Sequence, residues 1–432
     1  MAVPANNAPP PPRAHSCSRM NRFHLACLLL TAAGSFALGE AVPVKIVPEG
    51  GITRGGEPYF IKGAGGTVHL DELTATGGNS IRTWTTNGLG EILDDAARRG
   101  LTVCAGIWLE PECNWFSYSK PEHCARQAAR VQEEVLKHRD HPALLFWGLG
   151  NEAEGDGGND AYWKQLEVLA KAVKAIDRAH PTFTAVAGLS PQKAAGLNAH
   201  TPSLDFVGIN TYGALNRLRE HLVKVQWTRP WVVTEYGPRG FWESPRTSWD
   251  APLEQTSTEK AELIRKAYQR AIEPAGACWG GYVFLWGQKQ EATSTWFGIF
   301  TESGESTATR DVMHKLWKGE PSPDHAPEIK SFTSAAANKE IAPGSEFTAL
   351  AEATDADGDP LAWHWSVTAE HAGRDAKGRE RVTKPLPVCV IKAEGPTATF
   401  QAPAKPGAYR VHLRVTDHRK RAATANFPIL VK

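Results

Sequence analysis

Between Tyr59 and Trp286 the sequence repeats one unit: a short apolar run, a loop, then a stretch of helical period. Eight apolar runs succeed one another, at residues 59–62, 80–83, 101–105, 144–150, 183–186, 206–209, 231–234 and 281–285. Between them, Leu166, Leu169, Val173 and Ile176 are spaced for one helical face, and residues 89–99, 122–138 and 258–272 are amphipathic in the same way. Short strands alternating with helices imply parallel strands joined by crossovers. Eight such units over roughly 250 residues predict an α/β fold, a closed (β/α)8 TIM barrel. In that architecture reactive residues belong at the C-terminal ends of strands.

At Lys318 the pattern changes. Residues 319–327 are proline-rich and read as a linker. Beyond them come six β-rich runs without helical period, at 328–333, 346–352, 362–367, 388–393, 398–402 and 408–416. Strands with turns between them over about 105 residues predict a small all-β immunoglobulin-like sandwich. Trp363 and Trp365 alternate by two and share one sheet face, which we read as its core and not as a polysaccharide-binding surface. Asp355, Asp357 and Asp359 begin like a calcium loop, but Pro360 stands at the glycine position and no glutamate occupies the twelfth, so the segment reads as an acidic turn. The expected organisation is therefore a leader over 1–40, a barrel over 41–318, the linker, and a sandwich over 328–432.

The leader is expected from Met20, Asn21 and Arg22, which open a basic start, and from residues 25–37, an apolar run too short to span a bilayer. Ala37, Leu38 and Gly39 form a small-residue cleavage candidate. A secreted or periplasmic protein is expected, with no membrane span in the mature chain. The 48 Lys and Arg against 47 Asp and Glu leave no basic footprint for nucleic acid. Cys17 and Cys27 would leave with the leader, Cys113 and Cys124 flank one loop as the plausible disulfide pair, and Cys104 and Cys278 read as inert core thiols. No cysteine or histidine cluster has zinc-ligand spacing, and neither a metal nor a cofactor is expected.

Two runs carry chemistry. HPALLFWGLGNEAEG, residues 141–155, brings a buried-strand run through Gly148 and Gly150 to Asn151 and Glu152. Some 83 residues on, WVVTEYG ends a second strand at Glu235. Two strands ending in glutamates equip one site with the paired carboxyl groups that glycosidic cleavage needs. These motifs resemble the acid/base and nucleophile motifs of clan A glycoside hydrolases, with family 2 catalytic barrels the nearest, over about residues 52–317. The resemblance implies that Glu152 is the general acid and then the base, that Glu235 is the nucleophile, and that the two stand about 5–5.5 Å apart as in retaining enzymes. It also implies that Asn151 bonds the sugar 2-hydroxyl and that the Tyr212 hydroxyl faces the nucleophile.

Arg82, at the end of the second strand, is placed to hold the nucleophile ionised, and Trp286, at the end of the eighth, to floor the sugar site. Fifteen tryptophans stand against eight tyrosines, and their flat indole faces suit either stacking on sugar rings or ordinary core packing. His69, Trp84, Trp108, Glu110, Trp115, Trp242 and Trp296 all come after strands on the presumed catalytic face, and of these His69 and Trp108 are taken as substrate-binding. Glu110 and Glu112 come after strand three and are decoys for the acid. One sandwich after the barrel resembles smaller clan A enzymes acting on β-glucans. The expected activity is a retaining β-glycosidase hydrolysing a β-linked glucan or related oligo- or polysaccharide. The alternatives are a transglycosylase using the same glutamates and a noncatalytic carbohydrate-binding barrel.

Overall fold

The computed structural model describes residues 40–47, 50–274, 276–375 and 378–432. The leader reading, with Cys17, Cys27 and the cleavage candidate, lies outside them. Three short antiparallel strands come first, β1 (Val44–Ile46), β2 (Ile52–Arg54) and β3 (Glu57–Tyr59). Val44 and Ile52 are buried with Ile61, Phe206 and Trp279, so this small sheet plugs the N-terminal mouth of a barrel built by the next eight strands. Eight strand–helix units run β4 (Ile61–Gly65), α1 (Leu70–Ala75), β5 (Ser80–Arg82), α2 (Leu89–Arg98), β6 (Thr102–Ile107), α3 (Pro121–His138), β7 (Leu144–Asn151) and α4 (Asp160–Ile176). They continue through β8 (Thr182–Ala187), α5 (Pro191–His200), β9 (Phe206–Asn210), α6 (Leu218–Lys224), β10 (Trp231–Tyr236), α7 (Ser257–Ala271) and β11 (Cys278–Val283). A two-residue strand, β12 (Ser306–Thr307), precedes α8 (Ala308–Lys318).

Strands β4 to β11 form a closed parallel barrel, with β11 pairing back onto β4. The interior is filled, not open: Phe146, Phe183, Phe206, Trp279 and Tyr282 pack within it, and Phe183 stacks on Phe206 with centroids 4.7 Å apart. The helices bury the predicted faces, Leu166, Leu169 and Val173 of α4 among them. All eight expected runs are barrel strands, but the first is displaced. The sequence places it at 59–62, where Glu57–Tyr59 instead pairs with β2. The true strand, IKGAG, is poor in strand-forming bulk because Tyr282 fills the space beside it, and a Cβ on Gly63 would sit 2.4 Å from that ring. Cys104 and Cys278 are core thiols, each pushed up to about 12 by burial. Cys113 and Cys124 are free thiols, and the Cys124 sulfur donates to the Tyr118 carbonyl.

The C-terminal part comprises β13 (Glu328–Ser334), β14 (Glu340–Ile341), β15 (Glu346–Thr354), β16 (Ala362–Ala369), β17 (Val390–Glu394), β18 (Thr397–Gln401), β19 (Gly407–Thr416) and β20 (Arg421–Val431). One sheet runs β13-β15-β18-β17, and the other runs β12-β20-β19-β16 with β14 beside β20. Ala349, Phe400, Val411, Phe427 and Ile429 form the core between them. Trp363 and Trp365 are partly buried and pack against the cluster that holds Leu413 and Val415. The sequence reading stops at Thr416 and misses β20, an 11-residue strand. Its alanines and Pro428 carry little strand propensity, and pairing along all of β19 holds it in place. The acidic segment is a turn in which Asp355 accepts from the amides of Asp357 and Asp359, while His325 and Arg419 pair with its carboxylates.

The outward face of β16, β19 and β20 is polar because it meets the barrel. Arg410 pairs with Glu370 inside the interface and donates to the Pro252 carbonyl. Asn426 donates to Glu254, and the Thr424 amide to Ser257. The proline-rich segment is docked as well: Ser322 accepts from Arg310, and the Ala326 amide donates to Asp311. Beneath the junction Lys260 and Glu254 form an ion pair with side chains 7% and 1% exposed. Burial alone would raise the Glu254 carboxyl, but Lys260 and its other donors overcome it and bring it down to about 2. Its contribution to stability is therefore present above the ordinary value of 4.5 and lost as pH falls through about 2. Lys260→Met strands that carboxylate, and we expect a loss of about 3–5 kcal/mol, read from the denaturant midpoint at pH 7.

Candidate active site

Arg82 ends β5, Asn151 ends β7, Asn210 ends β9 and Glu235 stands near the end of β10. All point to the C-terminal face, and bulges help to aim them. The ladder shifts register between Gly148 and Asn151 in β7 and between Val233 and Glu235 in β10. Gly150 has φ +83°, which a side chain would strain, and its own Cβ would crowd Leu109. Glu152 itself lies at φ +53° just beyond the strand, with its amide held by the Ala185 carbonyl at 2.8 Å.

Three donors converge on Glu235, which is 6% exposed. Arg82 Nη1 lies 2.8 Å and Trp84 Nε1 2.7 Å from Oε1, and the Tyr212 hydroxyl donates to Oε2 at 2.6 Å. That partner set suits an ionised carboxylate, which only accepts. Burial, then the charge of Glu235 and the hydrogen bond to it, push the Tyr212 hydroxyl well above the phenol range, so it remains a donor.

Glu152 is exposed along the cleft and, among the described residues, receives one side-chain donor, Asn210 Nδ2, at 2.7 Å. Protein packed behind its carboxyl raises its pKa. That burial is the largest cause, the Asn210 bond opposes it, and the charges of Glu235 and Glu154 add to it. Asn210 is oriented by Thr234, whose hydroxyl donates to its Oδ1 at 2.7 Å. Asn151 Oδ1 accepts from both Arg82 Nη2 and Asn210 Nδ2, at 2.7 and 3.0 Å, so its remaining amide hydrogens are the part left for a ligand. Trp84, Asn151, Glu152, Asn210, Tyr212 and Glu235 line one cleft of about 790 Å³, with Trp242, Glu243, Phe284, Lys289 and Glu291 on its other walls.

Of the expected site residues, Glu152, Glu235, Asn151 and Tyr212 line the cleft, and Arg82 lies beneath them. Three do not join it. Trp286 is fully buried, packed on Phe300 and Trp317, with its indole N–H on the His69 carbonyl. The strand ends at Val283, so Phe284 takes the cleft position and Trp286 turns into the layer beneath. His69 is stacked 4.0 Å from Phe300, outside the cleft. Trp108 is 40% exposed elsewhere, its carbonyl held by Arg130. Glu110 and Glu112 are structural, bound respectively by Arg130 and Gln127 and by the Tyr118 amide and Asn159. Sequence reasoning misses Asn210, whose only signal is its place in INTYG, two residues before Tyr212.

Residues 88–249, which include both cleft glutamates, match the model of the glycosyl hydrolases family 2 TIM barrel domain. The barrel is glycosyl hydrolase family 2-like. β-Glucuronidases of Chlorocebus aethiops and Sus scrofa are 22% and 23% identical to this chain over 265 residues. That stretch is 56% of this chain and 39% of each relative, so the chain spans about two fifths of the length of these relatives. A β-galactosidase of Vibrio vulnificus (strain YJ016) is 25% identical over 171 residues, 34% of this chain and 16% of its own. Among solved structures, the Ruminococcus gnavus β-glucuronidase covers 65% of this chain and 54% of its own, at 16% identity and a TM-score of 0.53. The Bacteroides uniformis β-glucuronidase 2 covalently bound to cyclophellitol-6-carboxylate aziridine covers 90% of this chain and 48% of its own, at 13% identity and a TM-score of 0.51. At such identities these likenesses establish the shared fold of the family 2-like barrel.

Proposed function

We propose that the protein is a retaining β-glycosidase acting on a β-linked oligo- or polysaccharide by double displacement. The observation that carries this reading is the unequal division of partners between two carboxyls in one cleft. Glu235, with three donors, is equipped to attack the anomeric carbon as an anion. Glu152, with a raised pKa and one donor, is equipped to hold a proton, give it to the departing glycosidic oxygen, and then take one from the attacking water. Arg82, Trp84 and Tyr212 orient the nucleophile, and Asn151 offers an amide to the sugar. Nuclear magnetic resonance of the first product released from an aryl β-glycoside tests the stereochemistry. We expect the β anomer, and an α anomer would overturn double displacement.

Asn210 gives a second check. Its donation to the ionised form of Glu152 lowers that pKa. Asn210→Ala should therefore let the acid keep its proton to higher pH, moving the alkaline limb of kcat/KM upward. A limb that stays in place or moves downward would show that Glu152 is not the acid it reports. The proposal includes export, supported by the leader-like residues 20–39, and N-terminal sequencing of protein from the medium or periplasm checks it.

A further inference from the structure

Resting on that reading of the cleft, we infer that its sugar site takes a neutral hexopyranoside and rejects the corresponding uronide, and that Glu291 enforces this by occupying Lys289. The charged side chains lining the cleft are Glu152, Glu235, Glu243, Glu291 and a single cation among the described residues, Lys289. Arg82 is committed to Glu235 below the floor. Arg239 lays its stem beside Gly213 but does not line the cleft. Glu243, on the exposed rim, accepts from the amides of Gly213 and Gly240 and has no ion-pair partner among the described residues.

Lys289 would be the natural partner for a substrate carboxylate, but its ammonium lies 2.6 Å from Glu291 Oε2. Glu291 is also held in place. Its backbone pairs with Thr293 in both directions, and the next amide, of Ala292, donates to Glu380. Thr293 and Thr295 are bound by Glu254, which Lys260 and Asn426 fix from below and from β20. The C-terminal sheet thus buttresses the loop whose Glu291 pairs with Lys289. A uronate carboxylate entering here would meet four carboxyl groups, with the one cation that lines the cleft among the described residues already paired, whereas hydroxyl groups could share the same acceptors. This departs from the relatives named β-glucuronidases.

The test compares 4-nitrophenyl substrates differing only at C6: β-glucoside with β-glucuronide, and β-galactoside with β-galacturonide. We expect kcat/KM to favour the neutral member of the better pair by at least about tenfold. Glu291→Gln should free Lys289 and shrink that ratio by about tenfold, and Glu291→Gln combined with Lys289→Met should restore it. Preference for the uronide in both pairs would overturn the inference and leave the glycosidase reading standing. A ratio unmoved in a folded Glu291→Gln protein would overturn the role of Glu291. If no pair is turned over, the glycosidase reading fails, and calorimetry with isofagomine and uronic isofagomine decides the inference separately. Tighter binding of the parent compound supports it, and equal or tighter binding of the uronic form overturns it.

Discussion

Glu235→Ala should lower kcat/KM for an aryl β-glycoside by on the order of 10⁴-fold or more, because it removes the carboxylate that Arg82, Trp84 and Tyr212 hold ready to attack. Added azide should restore turnover by entering the space the carboxylate leaves. Because that replaces two displacements by one, the product should be the α-glycosyl azide. The variant leaves Arg82, 2% exposed, without its carboxylate but still bound to the Thr234 carbonyl and to Asn151. Glu235→Gln, which keeps an oxygen acceptor of the same size, separates loss of the nucleophile from loss of local order. Both variants should fold and both should be inactive. Unchanged turnover in either would remove Glu235 from the reaction.

Glu152→Ala should behave differently, because the proton it supplies matters in proportion to how badly the leaving group needs it. For an alkyl or sugar leaving group the loss should be about 10²–10⁴-fold, the usual range for general acid catalysis. For a dinitrophenyl leaving group, which departs without help, the glycosylation step should be far less affected. Azide should accelerate the second step, where Glu152 no longer activates water, and give the β-glycosyl azide. The alkaline limb of the pH profile should vanish with the residue, since above the pKa of Glu152 the wild type loses its acid. A limb that survives in Glu152→Ala would assign the acid to another group.

Much of this is legible in the amino-acid sequence. The barrel is dictated by alternating local patterns, and these were strong in α4, where Leu166, Leu169 and Val173 recur at helical spacing, and in β7, an unbroken apolar run. Local pattern failed where tertiary packing chose unusual residues. The glycines of β4 answer to the ring of Tyr282, and the alanines of β20 answer to the long ladder of β19. Trp286 misled because reading it as the end of a strand assumed that the chain continued straight past Val283, which it does not.

The sequence by itself carried the eight-unit repeat and the β-rich C-terminal part, because apolar periodicity marks each strand, and it placed Arg82, Glu152 and Glu235 at or just past strand ends. The resemblance to clan A motifs, and not periodicity, pointed to Asn151 and Tyr212. Beyond Arg82 and Tyr212 on Glu235, which the sequence reading expects, only the tertiary structure decided which partners the carboxyls receive. It brought Asn210 onto Glu152, Trp84 onto Glu235 and Lys289 onto Glu291, and it set the C-terminal sheet beneath the loop that carries the last pair. The physical reason is range. Periodicity is written in neighbouring residues, whereas the protonation and charge of a carboxyl depend on groups that reach it from distant parts of the chain.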